Sequence, residues 1–512
     1  MKMPGFYFLY ILIHLHGCLG VCPRRCSCDS TRSVQCYRIT EVPPGIPSAT
    51  RRLYISHSKI KQLQVSDISG IAGLEELILF SSGIEVVENS SLQALSHLKI
   101  LELQKNKLRQ IPGFLPACLE VLKLSDNVIH SIYRSDFEGL PKLRVLEIQN
   151  NLISALRSSI FSTLFNLQSL ILDGNGLESV SGPFQLPHLK HLSLENNKLH
   201  AFPESFFAPL HSLQFLSLAG NLLTKVPPQL PRSLLSLKLE RNQIKSVRLA
   251  DMRHLENLME LFLSANQLSS MDGAHVLSNV TTLEISRNHL KAIPLRLPRR
   301  LQKLDCSNNL IPKVTGLDFQ GLQDLKHLFL DNNALSFFED GALQKCVQLS
   351  NLALEQNLLT AIPLRLPDTL ARLDLKGNSI EDIREQELKG LKQLQVLNLR
   401  NNRISAIDGK VLECLPRLRH LYLDGNPWNC TCDLLRVKKL LKEMGTDVKS
   451  GQCVEPVESQ GESWMSSRKI LQHCEDDPYA SDSKDIQKSA KPDEQASLKA
   501  QVDDDDYDYE VD

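Results

Sequence analysis

The apolar residues of the chain follow one recurring spacing. Residues 98–108 read LKILELQKNKL, with aliphatic residues at positions one, four, six and eleven and asparagine at position nine. The same L-x-x-L-x-L-x-x-N-x-L pattern begins again at residues 167, 258, 349 and 394. Alternating apolar residues place one side of a short β-strand in a core, while the residues between them face outward. The pattern therefore predicts one short strand in each unit.

The spacing of the units is that of leucine-rich repeats, and their number can be read from the residue at the ninth position of each unit. Successive ninth positions lie 21 to 24 residues apart, and they are Ser58, Ser82, Asn106, Asn127, Asn151, Asn175, Asn197, Asn221, Asn242, Asn266, Asn288, Asn309, Asn333, Asn357, Asn378, Asn402 and Asn426. We predict an α/β fold, a leucine-rich repeat solenoid of seventeen repeats over residues 51–426 with a curved parallel sheet. Stacked asparagine side chains should bond the backbone groups that each bend leaves unpaired.

The segment that returns from one strand to the next differs between repeats. The shorter repeats contain proline in this segment, for example Pro112, Pro294 and Pro363, so we expect an extended backbone there. The longer repeats carry phenylalanine at Phe137 and Phe319. These longer segments are expected to hold a turn of helix.

The amino-acid composition favours a fold of thin, repeated layers and argues against several separate hydrophobic cores. Leucine accounts for 92 of 512 residues, whereas aromatic residues make up 5% and there are two tryptophans. A net charge of −1 argues against a uniformly basic nucleic-acid-binding protein. Phosphate-binding loops and the G-x-S-x-G and H-E-x-x-H motifs are absent from the sequence, so we predict no enzymatic activity and no cofactor.

The first twenty residues are typical of a secretory signal. Lys2 precedes an apolar stretch over residues 6–15, and Gly17 and Gly20 follow it. We predict a signal peptide over residues 1–20, cleaved after Gly20. A membrane anchor is the alternative, but the apolar stretch is shorter than a span of about 18 residues, and no other apolar run is long enough.

The other end of the chain is strongly acidic. Residues 475–512 contain fourteen acids and four lysines, a net charge of −10, and close with DDDDYDYEVD. This composition predicts a disordered acidic tail. Because the whole chain carries −1, residues 1–474 carry +9.

Eight of the twelve cysteines beyond the signal form two groups at the ends of the repeats. The sequence places Cys22, Cys26, Cys28 and Cys36 before the repeats and Cys430, Cys432, Cys453 and Cys474 after them. In a secreted chain such groups indicate disulfides, with zinc binding as the alternative. We predict cysteine caps over residues 21–50 and 427–474, which cover the exposed ends of the solenoid. The remaining four, Cys118, Cys306, Cys346 and Cys414, are interpreted as buried thiols.

The cluster CPRRCSCDSTRSVQC, the alternation of repeat lengths and the acidic tail resemble the small leucine-rich repeat proteoglycans of extracellular matrix. This resemblance implies disulfides Cys22–Cys28 and Cys26–Cys36. The other end departs from that family, because no lengthened penultimate repeat occurs. NPWNCTC followed by single cysteines instead resembles the four-cysteine cap of leucine-rich receptors and axon-guidance proteins. That second likeness implies disulfides Cys430–Cys453 and Cys432–Cys474.

The resemblance to the proteoglycan family also implies a function. Its members bind collagen and growth factors of the transforming growth factor β family, so the chain is expected to be a secreted matrix protein that restrains such signalling by sequestration. A structural matrix protein that binds collagen is one alternative. A soluble receptor-like decoy with a cell-surface partner, such as a receptor for the growth factor, is another.

The outward strand positions are the candidate ligand-binding surface. At the positions four and two residues before each ninth position, eleven of 34 residues are acidic and four are basic. Five consecutive repeats each carry one acid, and three aromatic residues on the same surface are candidate anchors. The predicted contact residues are Phe262, Glu284, Asp305, Phe329, Asp331, Glu355, Asp374 and Tyr422. They form an acidic strip suited to a basic protein, or else an ordinary solvated face.

Further candidate sites lie away from this strip. Arg436, Lys438, Lys439 and Lys442 fall in a predicted cap helix, where they bind a heparin-like polysaccharide or simply form a solvated face. Asn89, Asn279 and Asn429 begin N-glycosylation sequons. Tyr507 and Tyr509 lie among acids in the tail, a setting that resembles tyrosine sulfation sites of the family.

Overall fold

The computed structural model describes residues 22–248, 252–273, 276–467 and 474. Within these residues, twenty strands form one sheet, antiparallel between its first two strands and parallel thereafter. In chain order the strands are Cys26–Cys28, Ser33–Tyr37, Arg52–Ser56, Glu76–Phe80, Ile100–Glu102, Val121–Lys123, Val145–Glu147, Ser169–Ile171, His191–Ser193, Phe215–Ser217, Ser236–Lys238, Glu260–Phe262, Thr282–Glu284, Lys303–Asp305, His327–Phe329, Asn351–Ala353, Arg372–Asp374, Val396–Asn398, His420–Tyr422 and Asp447–Lys449. Seventeen of these strands lie in the seventeen repeats. We call the side of this sheet that carries the outward strand residues, such as Phe262 and Glu284, the concave face.

The return segments form a second layer behind the sheet. In the described residues this layer contains parallel strand pairs Gln62–Leu63 with Val86–Val87, Ala155–Arg157 with Ser179–Ser181, Val247–Arg248 with Met271–Asp272, and Lys313–Val314 with Phe337–Phe338. Its α-helices are Val65–Ile68, Glu385–Leu388 and Gly409–Glu413, and its 3-10 helices are Ser69–Ile71, Arg134–Phe137 and Ser158–Phe161. The C-terminal cap adds the strand pair Trp428–Asn429 with Cys453–Glu455, the α-helix Asp433–Met444 and the 3-10 helix Val457–Ser459. Most repeats therefore return without a full helical turn.

Leucine at the centre of each strand forms the core between these layers. Leu261, Leu283 and Leu304 pair in register and are 0 to 1% exposed. Burying one such side chain contributes about 1.5–3 kcal/mol. Because each leucine contacts its counterparts in the adjacent repeats, the core runs without interruption from cap to cap.

Four phenylalanines, one in each of four successive return segments, extend the core on the side away from the sheet. The ring centroids of Phe137, Phe161, Phe184 and Phe206 are separated in turn by 5.3, 5.7 and 4.8 Å. All four side chains are buried. Such tilted contacts between rings stabilise the stack beyond the area they bury.

The ninth-position asparagines satisfy the backbone at each bend. Asn357 is typical: its Nδ2 donates to the carbonyls of Leu330, Leu354 and Glu355 at 2.9, 3.0 and 3.0 Å. Its Oδ1 accepts a hydrogen bond of 3.1 Å from the amide of Leu335. One buried side chain therefore joins its own repeat to the preceding one.

Disulfides hold both caps. The structure joins Cys22 to Cys28 and Cys26 to Cys36, and it joins Cys430 to Cys453 and Cys432 to Cys474. These are the pairings that the two resemblances imply.

The C-terminal cap contains both tryptophans of the chain. Trp428 and Trp464 are each at most 1% exposed, and their ring centroids lie 5.9 Å apart. The Trp428 indole donates to the carbonyl of Leu423, and the Trp464 indole donates to that of Ser450. The structure contains the predicted helix of this cap over Asp433–Met444, which we call the cap helix.

The four remaining cysteines are not all buried. Cys306 and Cys346 are 0% exposed, and burial raises the pKa of the Cys306 thiol well above its usual range and that of Cys346 to about 12. Cys118 and Cys414 are only half-buried, so the prediction of four buried thiols is wrong for these two. Cys118 lies three residues before strand Val121–Lys123, and Cys414 directly follows helix Gly409–Glu413.

Two predicted segments cannot be compared with the structure. The signal peptide over residues 1–20 and the acidic tail over residues 475–512 lie outside the described residues. Among the residues that are described, no helix has the length and apolar character needed to cross a membrane.

Candidate ligand-binding face

The predicted contact residues occupy equivalent places in successive repeats. Phe262, Glu284, Asp305, Phe329, Asp374 and Tyr422 are each the last residue of a strand, and Asp331 and Glu355 each lie two residues beyond a strand. Parallel register places Phe262 beside Glu284, and Glu284 beside Asp305. The structure therefore brings these side chains onto one face.

One lysine changes the character of the middle of this face. Lys303 Nζ lies 3.0 Å from Glu284 Oε1 and 5.7 Å from the ring centroid of Phe329. Phe329 is 7% exposed, so the prediction that it is an exposed aromatic anchor is wrong. The sequence pattern did not show that the lysine side chain would lie across the ring.

Asp374 is also inaccessible to a ligand. Its residue is 1% exposed, and its Oδ2 accepts a hydrogen bond of 3.0 Å from Asn398 Nδ2 and lies 3.6 Å from an Arg372 guanidinium nitrogen. Its Oδ1 accepts a hydrogen bond from the Lys376 amide. The prediction that Asp374 contacts a ligand is therefore wrong, because Asn398 of the next repeat and Arg372 and Lys376 of its own repeat engage its carboxylate.

Asp305, Asp331 and Glu355 form the accessible acidic part of the strip, and all three are half-buried. Asp305 Oδ1 accepts hydrogen bonds from the amide and hydroxyl of Ser307. Asp331 Oδ1 accepts a hydrogen bond of 2.9 Å from the amide of Glu355. In the part of the chain that the structure describes, no cationic side chain lies within 4 Å of the Asp305 or Asp331 carboxylate. We call these three residues the acidic centre.

The charge of the acidic centre depends on pH. Burial raises the pKa of Asp331 to about 8, and the nearby carboxylates of Glu355, Asp374 and Asp305 raise it as well. The hydrogen bond from the Glu355 amide opposes this increase. At pH 7 Asp331 is therefore mainly protonated, and the acidic centre carries less charge than a count of its acids suggests.

The two other aromatic residues remain partly accessible and lie beside cations. Lys238 Nζ is 5.6 Å from the ring centroid of Phe262, and the Arg400 guanidinium is 4.5 Å from that of Tyr422. Arg400 also pairs with Asp424 at 2.8 Å. The contact between Lys238 and Phe262 could have been predicted from the repeat register, because the two residues are paired on adjacent strands.

A second group of acids lies on earlier repeats of the same face. Burial raises the pKa of Asp173 and of Glu240. Asp173 accepts a hydrogen bond from the Ser193 hydroxyl, and Glu195 accepts one from the Ser217 hydroxyl. These acids belong to the eleven outward acids of the sequence, but the repeat between Glu195 and Glu240 carries no outward acid, so they do not form an unbroken run and were not singled out.

An aromatic row at the N-terminal end of the face was missed altogether. The ring centroids of Tyr37 and His57 are 5.3 Å apart, and those of His57 and Phe80 are 5.8 Å apart. Arg38 lies 4.9 Å from the Tyr37 centroid and Lys105 lies 5.2 Å from that of Phe80. Tyr37 ends a strand of the N-terminal cap, and His57 and Phe80 lie at or beyond strand ends of the first two repeats, so only the stacking of these strands brings the three rings together.

The three sequons differ in their surroundings. Asn89 is exposed in a turn. Asn279 is half-buried, with its Nδ2 donating to the Glu256 carbonyl and its Oδ1 accepting from Arg300. Asn429 is half-buried in a short strand directly before disulfide-bonded Cys430.

The other candidate sites are surface features. Arg436, Lys439 and Lys442 are exposed on the cap helix, and Lys438 is half-buried. Tyr507 and Tyr509 lie outside the described residues. Histidine, cysteine and acidic side chains do not come together in threes that could hold a metal ion, as far as the described residues show.

The fold and this face define a protein-binding scaffold of the leucine-rich repeat class. A leucine-rich repeat family model matches residues 117–177, 165–223, 299–359 and 368–427. Among solved structures, a leucine-rich repeat protein of Leptospira interrogans is similar, with a TM-score of 0.61 and 28% identity over 76% of this chain and 93% of that chain.

Sequence relatives define the family more narrowly. Nephrocan of Mus musculus is 63% identical over 472 residues, which cover 92% of each chain. Podocan-like protein 1 of Homo sapiens is 31% identical over 417 residues, which cover 79% of this chain and 73% of that protein. The chain belongs to the small leucine-rich repeat proteoglycan family.

Proposed function

We propose that this protein is a secreted extracellular-matrix protein that sequesters a growth factor of the transforming growth factor β family on its concave face and so restrains signalling. Family membership supports an extracellular binding role. The observation that carries the choice of face is the acidic centre, where Asp305 and Asp331, on adjacent repeats, are half-buried and have no cation within 4 Å among the described residues.

The physical basis of this recognition is electrostatic. A basic segment of a ligand would place its cations against Asp305 and Glu355, and it would favour the ionised form of Asp331. The partly accessible ring of Phe262, two strands before Asp305, offers an adjacent apolar contact. Charge directs the encounter, and the ring adds buried area.

The test compares binding of the purified full chain and of a variant with Asp305→Asn, Asp331→Asn and Glu355→Gln to immobilised transforming growth factor β at two salt concentrations. Each exposed charge contact contributes roughly 0.2–1 kcal/mol, so the triple variant should bind about tenfold more weakly. High salt should weaken the unaltered chain more than the variant.

The matched control removes three acids from earlier repeats of the same face, with Asp173→Asn, Glu195→Gln and Glu240→Gln. This control removes the same number of carboxyl groups from the same face, so it should retain most of the affinity. Equal losses in both variants would show that overall charge, not the acidic centre, governs binding. Binding to fibrillar collagen with none to the growth factor would favour the matrix-structural role, and binding to neither would favour the receptor-like decoy.

The proposal includes the modifications expected of a secreted protein. We propose N-linked glycans at Asn89 and Asn279, with Asn429 as a third acceptor, and sulfate on Tyr507 and Tyr509. Peptide mass analysis of the secreted protein tests each site, and unmodified peptides would exclude the modification there. The further proposed ligand, a heparin-like polysaccharide, concerns the cap helix.

A further inference from the structure

The cap helix presents a group of cations to solvent. Residues 434–442 contain four cations and no acid. Arg436, Lys439 and Lys442 are exposed and Lys438 is half-buried, while the apolar side of the helix packs on the last repeats. The helix therefore brings the four charges together on its solvent-facing side.

The three lysines of this group make no ion pair among the residues that the structure describes. Arg436 lies 3.7 Å from Asp433, but both side chains are at least 79% exposed, so that pair contributes little. Lys438 and Lys442 are one helical turn apart, and like charges at this spacing repel one another. An anion placed between them would relieve this repulsion.

Cations from the last repeat extend this region. Exposed Arg417 and Arg419 line a depression together with Met444 and Gly445 at the end of the cap helix. We call the four cations of the helix, with Arg417 and Arg419, the cap surface. The acids beside it are partly engaged: Asp433 faces Arg436, and Asp447 lies 3.5 Å from His420. Glu443 is the remaining acid of the helix.

We propose that the occupant of the cap surface is the chain's own acidic tail, residues 475–512. Charge complementarity is the first argument, because the tail carries −10 and the remainder of the chain carries +9. The second argument is position. The tail begins immediately after Cys474, whose disulfide to Cys432 places the two Cα atoms 5.6 Å apart at the start of the cap helix.

The distances make this contact intramolecular. Lys438 and Lys442 lie six and ten residues beyond Cys432, about 9 and 15 Å along a helix with a rise of 1.5 Å per residue. Asp477 lies three residues beyond Cys474, about 10 Å of extended chain, so it can approach Lys438. The whole tail of 38 residues has an extended reach of more than about 100 Å, so its final acidic run can reach all three lysines. Tethering gives an effective concentration on the order of millimolar, which favours even weak ion pairing.

A second cationic region of the chain is less suited to the tail. Residues 285–304 contain six cations and no acid. Two of them are engaged, because Lys303 pairs with Glu284 and Arg300 donates to Asn279. This region also lies five to six strands before the last repeat strand, His420–Tyr422, at about 4.8 Å per strand. The tail thus has a nearer surface whose lysines have no partner among the described residues.

The consequence is a masked polyanion-binding surface. With the tail in place, a sulfated polysaccharide must displace it before binding the cap surface. Without the tail, the same surface is open. The full chain should therefore bind heparin more weakly than a chain ending at residue 474, which retains all four disulfides.

The direct test is zero-length carbodiimide cross-linking of the full chain at low concentration, followed by peptide mapping of the monomer. Links should join Lys438, Lys439 or Lys442 to acids within residues 475–512. Links from the tail chiefly to lysines of the repeats, or no tail links in the monomer, would overturn the proposal.

The second test measures heparin affinity of the full chain and of the chain ending at residue 474. Each exposed ion pair changes an equilibrium roughly twofold, so loss of three should make the shorter chain bind about tenfold more tightly. The same comparison is made with Lys438→Gln, Lys439→Gln and Lys442→Gln, which should abolish the difference between the two lengths.

The matched control is Lys245→Gln, Lys291→Gln and Lys313→Gln, three exposed lysines of the repeats. It removes the same charge but should leave the tenfold gain from tail removal intact. If the gain disappears in both variants, or in neither, the tail acts through overall charge and not by occupying the cap surface.

Discussion

Replacing Asp331 by asparagine should remove a pH-dependent cost to the stability of the fold. Partial burial and the neighbouring carboxylates raise the pKa of Asp331 to about 8 in the folded chain, compared with about 3.9 in an unfolded one. Between these values the folded state holds a proton that the unfolded state releases. The stabilisation of the folded state by protonated Asp331 is therefore fully present below about pH 4 and decreases as the pH rises to about 8.

The size of the effect follows from this difference. Each pH unit inside the window changes the free energy of unfolding by at most about 1.4 kcal/mol, so the step from pH 5 to pH 7 costs the unaltered chain about 2–3 kcal/mol. Asparagine has no such titration, and its Oδ1 keeps the hydrogen bond from the Glu355 amide. The stability of Asp331→Asn relative to the unaltered chain should rise by that amount between pH 5 and pH 7.

Urea unfolding followed by far-ultraviolet circular dichroism at pH 5, 6, 7 and 8 measures this difference. Asp368→Asn is the control, because Asp368 is an exposed acid on a return segment and its replacement should leave the pH profile unchanged. Parallel profiles for Asp331→Asn and the unaltered chain would refute the reasoning. They would mean that the carboxylate is solvated well enough to ionise with its usual pKa.

Two further perturbations test the core of the solenoid and the C-terminal cap. Asn357→Ala removes four hydrogen bonds, three of them buried, and should lower the free energy of unfolding by about 2–4 kcal/mol. Asn166→Ala loses one exposed hydrogen bond to a carbonyl and should lower it by less than about 1 kcal/mol. Similar urea midpoints for the two variants would contradict the role of the stacked asparagines. Replacing Cys430 and Cys453 together by serine should destabilise the cap by about 2–5 kcal/mol, and because both tryptophans lie in the cap, indole fluorescence should report unfolding at lower urea than circular dichroism does. Coincident transitions in this variant would show that the cap does not unfold separately from the repeats.

Masking by the tail and recognition by the acidic centre are physically separate. The cap surface is cationic and lies at the C-terminal end, whereas Asp305 and Asp331 lie on the concave face several repeats earlier. Loss of heparin masking would leave the growth-factor proposal unaffected. Equally, a failure to bind growth factor would leave the contact between tail and cap surface to be judged by its own cross-links.

The repeat spacing predicted most of the fold because a leucine-rich repeat is specified locally. Leu304 and Asn309 occupy positions whose side chains can only point into the core and into the bend, whatever lies in the neighbouring repeat. Parallel stacking then repeats one geometry along the chain. The cysteine groups similarly indicated caps, and the resemblances implied the pairings that the structure contains.

Accessibility on the concave face could not be read from the same pattern. Phe329 and Tyr422 occupy equivalent positions in their repeats. The Phe329 ring is buried and lies beside Lys303, whereas the Tyr422 ring is partly accessible and lies beside Arg400. Asp374 and Asp305 are likewise equivalent, but only Asp374 has an arginine and an asparagine arranged around its carboxylate.

The sequence by itself determined the repeat architecture, the direction in which each side chain points and the positions of the caps. Only the tertiary structure decided which outward side chains a ligand can reach and which carboxyl groups carry charge at neutral pH. The physical reason is range. Side-chain direction follows from the backbone of a single strand. Burial, ion pairing and pKa instead depend on atoms of adjacent repeats, some twenty residues away in sequence, and on the conformations those side chains adopt.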